Sequence, residues 1–180
     1  YVLRANGGQW MMAMVFSPDN SVVLEIVGLT DGQPLVRSDL RQPFWQGSLP
    51  ATQDYSVKAV STTGATVYTL QVIIPERVEF ATGAVSATRQ GNLEPWQAHD
   101  YLLAALLAAL QGQTMTVTIQ SAEDKVLLEI YGVDDGQPLA RVPMGLTTWT
   151  GVLPAAQDYA VKAVCMSETA TSYQIEFTIQ

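Results

Sequence analysis

The stretch "VVLEIVGLTDGQPLVR" at residues 22–37 returns as "VLLEIYGVDDGQPLAR" at residues 126–141. Each copy is an apolar run broken by Asp-Gly and resumed after Pro-Leu, and its recurrence decides the fold. The match begins at Gly8 and Gly112 and holds without a gap to Val60 and Val164, with about half of the paired positions identical. Within it, "WQGSLPATQDYSVKAV" (45–60) returns as "WTGVLPAAQDYAVKAV" (149–164). After a one-residue slip "YTLQVII" (68–74) matches "YQIEFTI" (173–179), and at the front "YVLRA" (1–5) matches "YLLAA" (101–105).

The period inside each copy is two. Val57-Lys58-Ala59-Val60 and Tyr68-Thr69-Leu70-Gln71-Val72 alternate apolar with polar side chains, the pattern of a half-buried strand. Asp31-Gly32 and Asp135-Gly136 lie between apolar runs as hairpin turns, where glycine accepts positive φ. The expectation is an all-β chain of two tandem antiparallel β-sandwich (jelly-roll-like) domains. Residues 1–75 form the first, lacking its N-terminal strand, and residues 76–180 the second, with strands expected at 78–80 and 85–89. Leu24, Ile26, Trp45, Tyr55, Val57 and Leu70, with Leu128, Ile130, Trp149, Tyr159, Val161 and Ile175, are the expected core.

Three segments of the second copy, "GQTMTV" (112–117), "VLLEIYGVDDGQPLAR" (126–141) and "WTGVLPAAQDYAV" (149–161), resemble the bacterial pre-peptidase C-terminal (PPC) domain family. The resemblance covers nearly the whole chain. It implies small jelly-roll-like sandwiches that are appended to secreted hydrolases or repeated in cell-surface proteins. Such modules are generally non-catalytic, and some bind calcium or a polymeric substrate.

Composition narrows the partners. The net charge of -8 and nine scattered basic residues give no footprint for nucleic acid. No apolar run reaches the ~20 residues that span a bilayer. Cys165 is the only cysteine, so no intrachain disulfide forms. Asp31, Asp134 and Asp135 have the chemistry of calcium ligands, but Asp-Gly is also plain turn chemistry. Copy one has Thr30-Asp31 where copy two has Asp134-Asp135, so no metal site and no cofactor are expected. His99 is the only histidine and no Gly-x-Ser-x-Gly segment occurs, so no catalytic residue is expected. Tyr55 and Tyr159 after Gln-Asp read as tyrosine corners, and Trp45 and Trp149 as core fillers rather than sugar platforms.

Function is sought where the copies differ. Alternation sends Met11, Ala13 and Val15 inward, like Met115, Val117 and Ile119. On the opposite face Trp10, Met12, Met14 and Phe16 stand where copy two has Thr114, Thr116, Thr118 and Gln120. Cover of such a stripe recovers ~1.5–3 kcal/mol per fully buried side chain, so an interface is expected there. Copy one has no counterpart of residues 78–100 in this sequence: either the chain is a fragment of something longer, or another chain supplies the strand to the edge left open. An insertion adds the apolar Leu102, Leu106, Leu107 and Leu110, a second expected interface. These features point to a non-enzymatic extracellular or cell-surface assembly subunit. It would self-associate into an oligomer or filament by strand complementation, with residues 78–92 and 102–110 as donors. The alternative is an accessory module of a secreted hydrolase that contacts polysaccharide or protein. An enzyme inhibitor would present a protruding loop of unusual sequence, and the chain shows none.

Overall fold

The computed structural model describes residues 1–104 and 111–180. The chain is all β and divides into Tyr1–Ile74 and Pro75–Gln180. Unit 1 holds β1 (Val2–Ala5), β2 (Trp10–Phe16), β3 (Val22–Gly28), β4 (Pro34–Val36), β5 (Phe44–Ser48), β6 (Gln53–Ser61) and β7 (Thr69–Ile73). Unit 2 holds β8 (Glu76–Arg77), β9 (Ser86–Leu93), β10 (Ala98–Leu103), β11 (Thr114–Ser121), β12 (Val126–Gly132), β13 (Pro138–Ala140), β14 (Thr148–Val152), β15 (Tyr159–Cys165) and β16 (Thr171–Ile179).

The strand orders are the same in the two units, apart from one addition per sheet. Unit 1 has β1-β6-β3-β4 over β5-β2-β7; unit 2 has β8-β10-β15-β12-β13 over β9-β16-β11-β14. All pairings are antiparallel except β8 with β10. The extra strands β8 and β9 come from the segment that copy one lacks. β9 runs further than its apolar letters show, because "SATRQGNL" sends Thr88, Gln90 and Asn92 outward and puts only small or polar residues, Ala87, Arg89 and Gly91, ahead of the buried Leu93 on its inner side. Val78, expected in a strand, lies just beyond β8 with its side chain buried and its N–H donated to the Leu102 carbonyl.

Period-two alternation builds each core. Met11, Leu24, Ile26, Tyr55 and Val57 are fully buried in unit 1, as are Met115, Leu128, Ile130, Tyr159, Val161 and Ile175 in unit 2. Trp45, Trp149 and Leu70 pack against these clusters but stay partly exposed. Each Trp ring lies over the glycine two residues on: a Cβ at Gly151 would come within 2.6 Å of the Trp149 ring.

The corners are built alike. The Tyr55 hydroxyl donates to the Ala51 carbonyl at 2.6 Å, and that of Tyr159 to the Ala155 carbonyl at 2.7 Å. The Asp-Gly hairpins are locked by a glutamine from the neighbouring strand. Gln53 donates to Asp31 at 2.9 Å and accepts from the N–H groups of Thr30 and Asp31. Gln157 does the same for Asp134 and Asp135, donating at 2.8 Å. Gly28 and Gly132 leave room for this clamp, since a Cβ there would overlap Asp31 and Gln53, or Asp135 and Gln157.

Candidate functional site

The outward face of β5-β2-β7 carries the widest chemical difference between the units. The register sets Trp10 beside Ser48, Met12 between Gln46 and Ile73, Met14 between Phe44 and Gln71, and Phe16 beside Thr69. Trp10, Met12 and Met14 are half-buried, while Phe16 and Phe44 are 59% and 42% exposed. Six apolar side chains thus share one face: Trp10, Met12, Met14, Phe16, Phe44 and Ile73. Their counterparts in unit 2 are Thr114, Thr116, Thr118, Gln120, Thr148 and Thr178. There the Thr116 and Thr150 hydroxyls hydrogen-bond across strands at 3.0 Å. Phe44 and Ile73 escaped the sequence reading because it compared the copies along one strand only. The same comparison on β5 and β7 would have found them.

A groove of about 390 Å³ extends this face, formed by Phe16, Ser17, Pro18, Val67, Tyr68 and Thr69. Unit 2 has instead a polar concavity of about 610 Å³, walled by amides and hydroxyls such as Gln90, Asn92, Gln120 and Ser172. Charge divides as unevenly. Unit 1 has five carboxylates to four basic side chains, and unit 2 has twelve to five.

The other residues singled out in the sequence have structural partners. Asp31 and Asp135 accept first from the backbone N–H of Gln33 or Gln137 and then from Gln53 or Gln157, which holds both below the ordinary carboxylate pKa. Among the described residues no three His, Cys, Asp or Glu side chains gather as metal ligands would. Cys165 is buried in the core of unit 2. The Nδ1 of His99 is 2.7 Å from the Tyr173 hydroxyl, which is 2.5 Å from that of Tyr101. Burial, and then the Tyr101 hydroxyl, push the Tyr173 phenol well above its usual range. Leu102, expected in an interface, is buried in β10 between β8 and β15. Leu106, Leu107 and Leu110 lie outside the described residues.

No family model matches the chain, and no curated protein does. Among solved structures it is similar to PliG, a periplasmic lysozyme inhibitor of g-type lysozyme, from Aeromonas hydrophila. That match has 24% identity, covers 59% of this chain and 96% of that one, and has a TM-score of 0.49. The Salmonella Typhimurium PliG has 23% identity, covers 58% and 96%, and has a TM-score of 0.43. A mutant of the Escherichia coli protein has 21% identity, covers 59% and 97%, and has a TM-score of 0.42. These are likenesses of β fold.

The expectation of a self-associating filament subunit, with a hydrolase-appended module as its alternative, is corrected: the expected donor segments are taken up inside their own unit, and the three solved proteins named above are described as lysozyme inhibitors. The structure gives the physical reason. Of the two expected donors, β9 is paired along its whole length with β16 in its own unit, and Leu102 and Leu103 are core residues. Among the described residues no helix is long and apolar enough to cross a membrane.

Proposed function

We propose that this chain is a non-catalytic recognition protein outside the cytoplasm that binds a basic protein through the outward face of β5-β2-β7. The six-for-six exchange of Thr and Gln for Trp, Met, Phe and Ile on that face carries the reading. Large, adaptable apolar groups are the residue types that anchor protein interfaces, whereas the threonine array of unit 2 is suited to water. The acidity of unit 2 adds a long-range attraction for a basic partner. The PPC-like segments accord with a non-catalytic module. Enzyme inhibition, passed over in the sequence for want of a protruding loop, needs no loop when a sheet face makes the contact.

A g-type lysozyme, which the similar solved proteins inhibit, is the first partner to assay. Titration with the chain should give a complex that weakens with added salt. Replacing Trp10, Met12, Met14 and Phe16 by Thr, Thr, Thr and Gln should weaken it at least about a hundredfold, since central anchors commonly contribute ~2 kcal/mol or more each. The swap copies a face that the same sheet already carries in unit 2, so folding should survive. An undiminished complex would reject this face as the recognition surface. Failure of a lysozyme and of other basic extracytoplasmic proteins to bind would reject the function.

A further inference from the structure

β9 and β10 of unit 2 are joined by Glu94-Pro95-Trp96-Gln97, a turn closed by the Gln97 N–H donating to the Glu94 carbonyl at 3.1 Å. Proline at the second position and a positive φ at the third are the marks of a type II turn. That third position favours glycine, because a Cβ there crowds the backbone. Here it holds Trp96, with φ 63°. A bulky residue in the left-handed region carries a cost and persists where something else selects it. Core packing is not what selects this one. Trp96 is 62% exposed and belongs to neither core cluster.

The turn stands where three connections of unit 2 meet. The Gln97 carbonyl accepts the Cys165 N–H at 2.8 Å, and the Lys125 carbonyl accepts that of Met166 at 2.8 Å. The β9–β10 turn (94–97), the β11–β12 turn (122–125) and the β15–β16 turn (166–170) therefore gather around the end of β15. Met166 is a second exposed apolar side chain at this end. Around the two stand four exposed carboxylate residues, Glu94, Glu123, Asp124 and Glu168. The one basic side chain in these turns, Lys125, lies 3.4 Å from Glu123. In unit 1 the equivalents of the last two turns, residues 17–21 and 62–68, hold Asp19 as their one charged side chain, and it accepts from Ser21. An acidic surround is thus not needed to close this end of the sandwich.

We propose that this end of unit 2 is a second docking site, anchored by Trp96, which seats in an apolar pocket rimmed by Lys or Arg on a basic protein. Tryptophan is among the residue types most enriched as interface anchors, and a tight turn holds it out before the partner arrives. The carboxylates steer a cationic rim toward the indole and repel an anionic bilayer. A neutral sugar stacked on the indole would give those carboxylates no role. The site rests on the same reading of a basic partner as the function proposed above, and it uses no residue of the β5-β2-β7 face.

Three forms of the full chain are titrated with a g-type lysozyme, the partner assayed above: wild type, Trp96→Gly, and the four-residue swap on β2. Trp96→Gly should weaken the complex at least about thirtyfold. It should also raise Tm by about 2–4 °C, because glycine accepts the left-handed backbone. A lower Tm would assign the indole to structure and overturn the proposal. So would a complex that Trp96→Gly leaves intact, and if the swap abolished that complex, the β2 face alone would stand. Loss with Trp96→Gly but not with the swap would support this site and reject that face. Absence of any wild-type complex would overturn both readings. Trp96-dependent binding to phosphatidylcholine vesicles or to a neutral oligosaccharide, in place of the protein, would overturn this one as well.

Discussion

Tyr101–Tyr173 and Tyr1–Tyr68 are the same pair built twice, once under a strand and once bare. Around them the scaffold is constant: the corner tyrosines, the Gln–Asp clamps and the order of seven strands recur. Two things vary, namely whether the sheets carry an extra edge strand and whether the outward face is apolar or threonine-rich. Duplication therefore separated the parts that make the fold from the parts free to vary. The buried polar atoms of the shared scaffold have partners, as desolvation requires.

The largest test of this contrast is core truncation. Phe177→Ala in the fully buried β16 should cost about 3–5 kcal/mol, whereas Val72→Ala, its partly exposed counterpart in β7, should cost about 1 kcal/mol. Denaturant unfolding followed by tryptophan fluorescence measures both, and equal costs would break the claim that the first unit is open on this side. The tyrosine pair gives the next effect. Tyr173→Phe removes a buried hydroxyl bonded to Tyr101 and His99 and should cost about 1–3 kcal/mol. Tyr68→Phe, at an exposed hydroxyl, should stay within about 0.5 kcal/mol of wild type.

Where the scaffold is shared, the units should instead respond alike. Tyr55→Phe and Tyr159→Phe each remove the hydroxyl bonded to the carbonyl four residues upstream and should each cost about 1–2 kcal/mol. Unequal losses would show that one corner is not structural. The smallest effect is acid sensitivity. Asp31 and Asp135 have folded pKa values below the ordinary 3.8, so their stabilisation is complete above that value and is lost as pH falls through the folded pKa. Unfolding free energy measured between about pH 5 and pH 2 should fall less steeply in the Asp31→Asn, Asp135→Asn double variant. An unchanged slope would sharpen the comparison by assigning acid sensitivity to carboxylates outside the clamps.

Much of the fold was legible because period-two alternation and Asp-Gly turns are local, and because two copies allow each to be checked against the other. The stripe of Trp10, Met12, Met14 and Phe16 was legible for the same reason. Phe44 and Ile73 join it only through cross-strand register, which no single strand carries. β9 was underestimated because a polar edge strand that turns a glycine inward has no apolar period to read.

By itself, the sequence determined that this is a duplicated all-β chain, where its hairpins and corners fall, and which side chains face the core. These are properties of neighbouring residues, set by backbone sterics and by the cost of leaving apolar groups in water. Tertiary structure decided who covers whom. That β9 and Leu102 are consumed within unit 2, that Gly91 lies on Tyr173, and that Tyr1 meets Tyr68 in the open all depend on strands far apart in the chain. Such pairings follow from the global register that buries both sheets at once, and no local pattern encodes it.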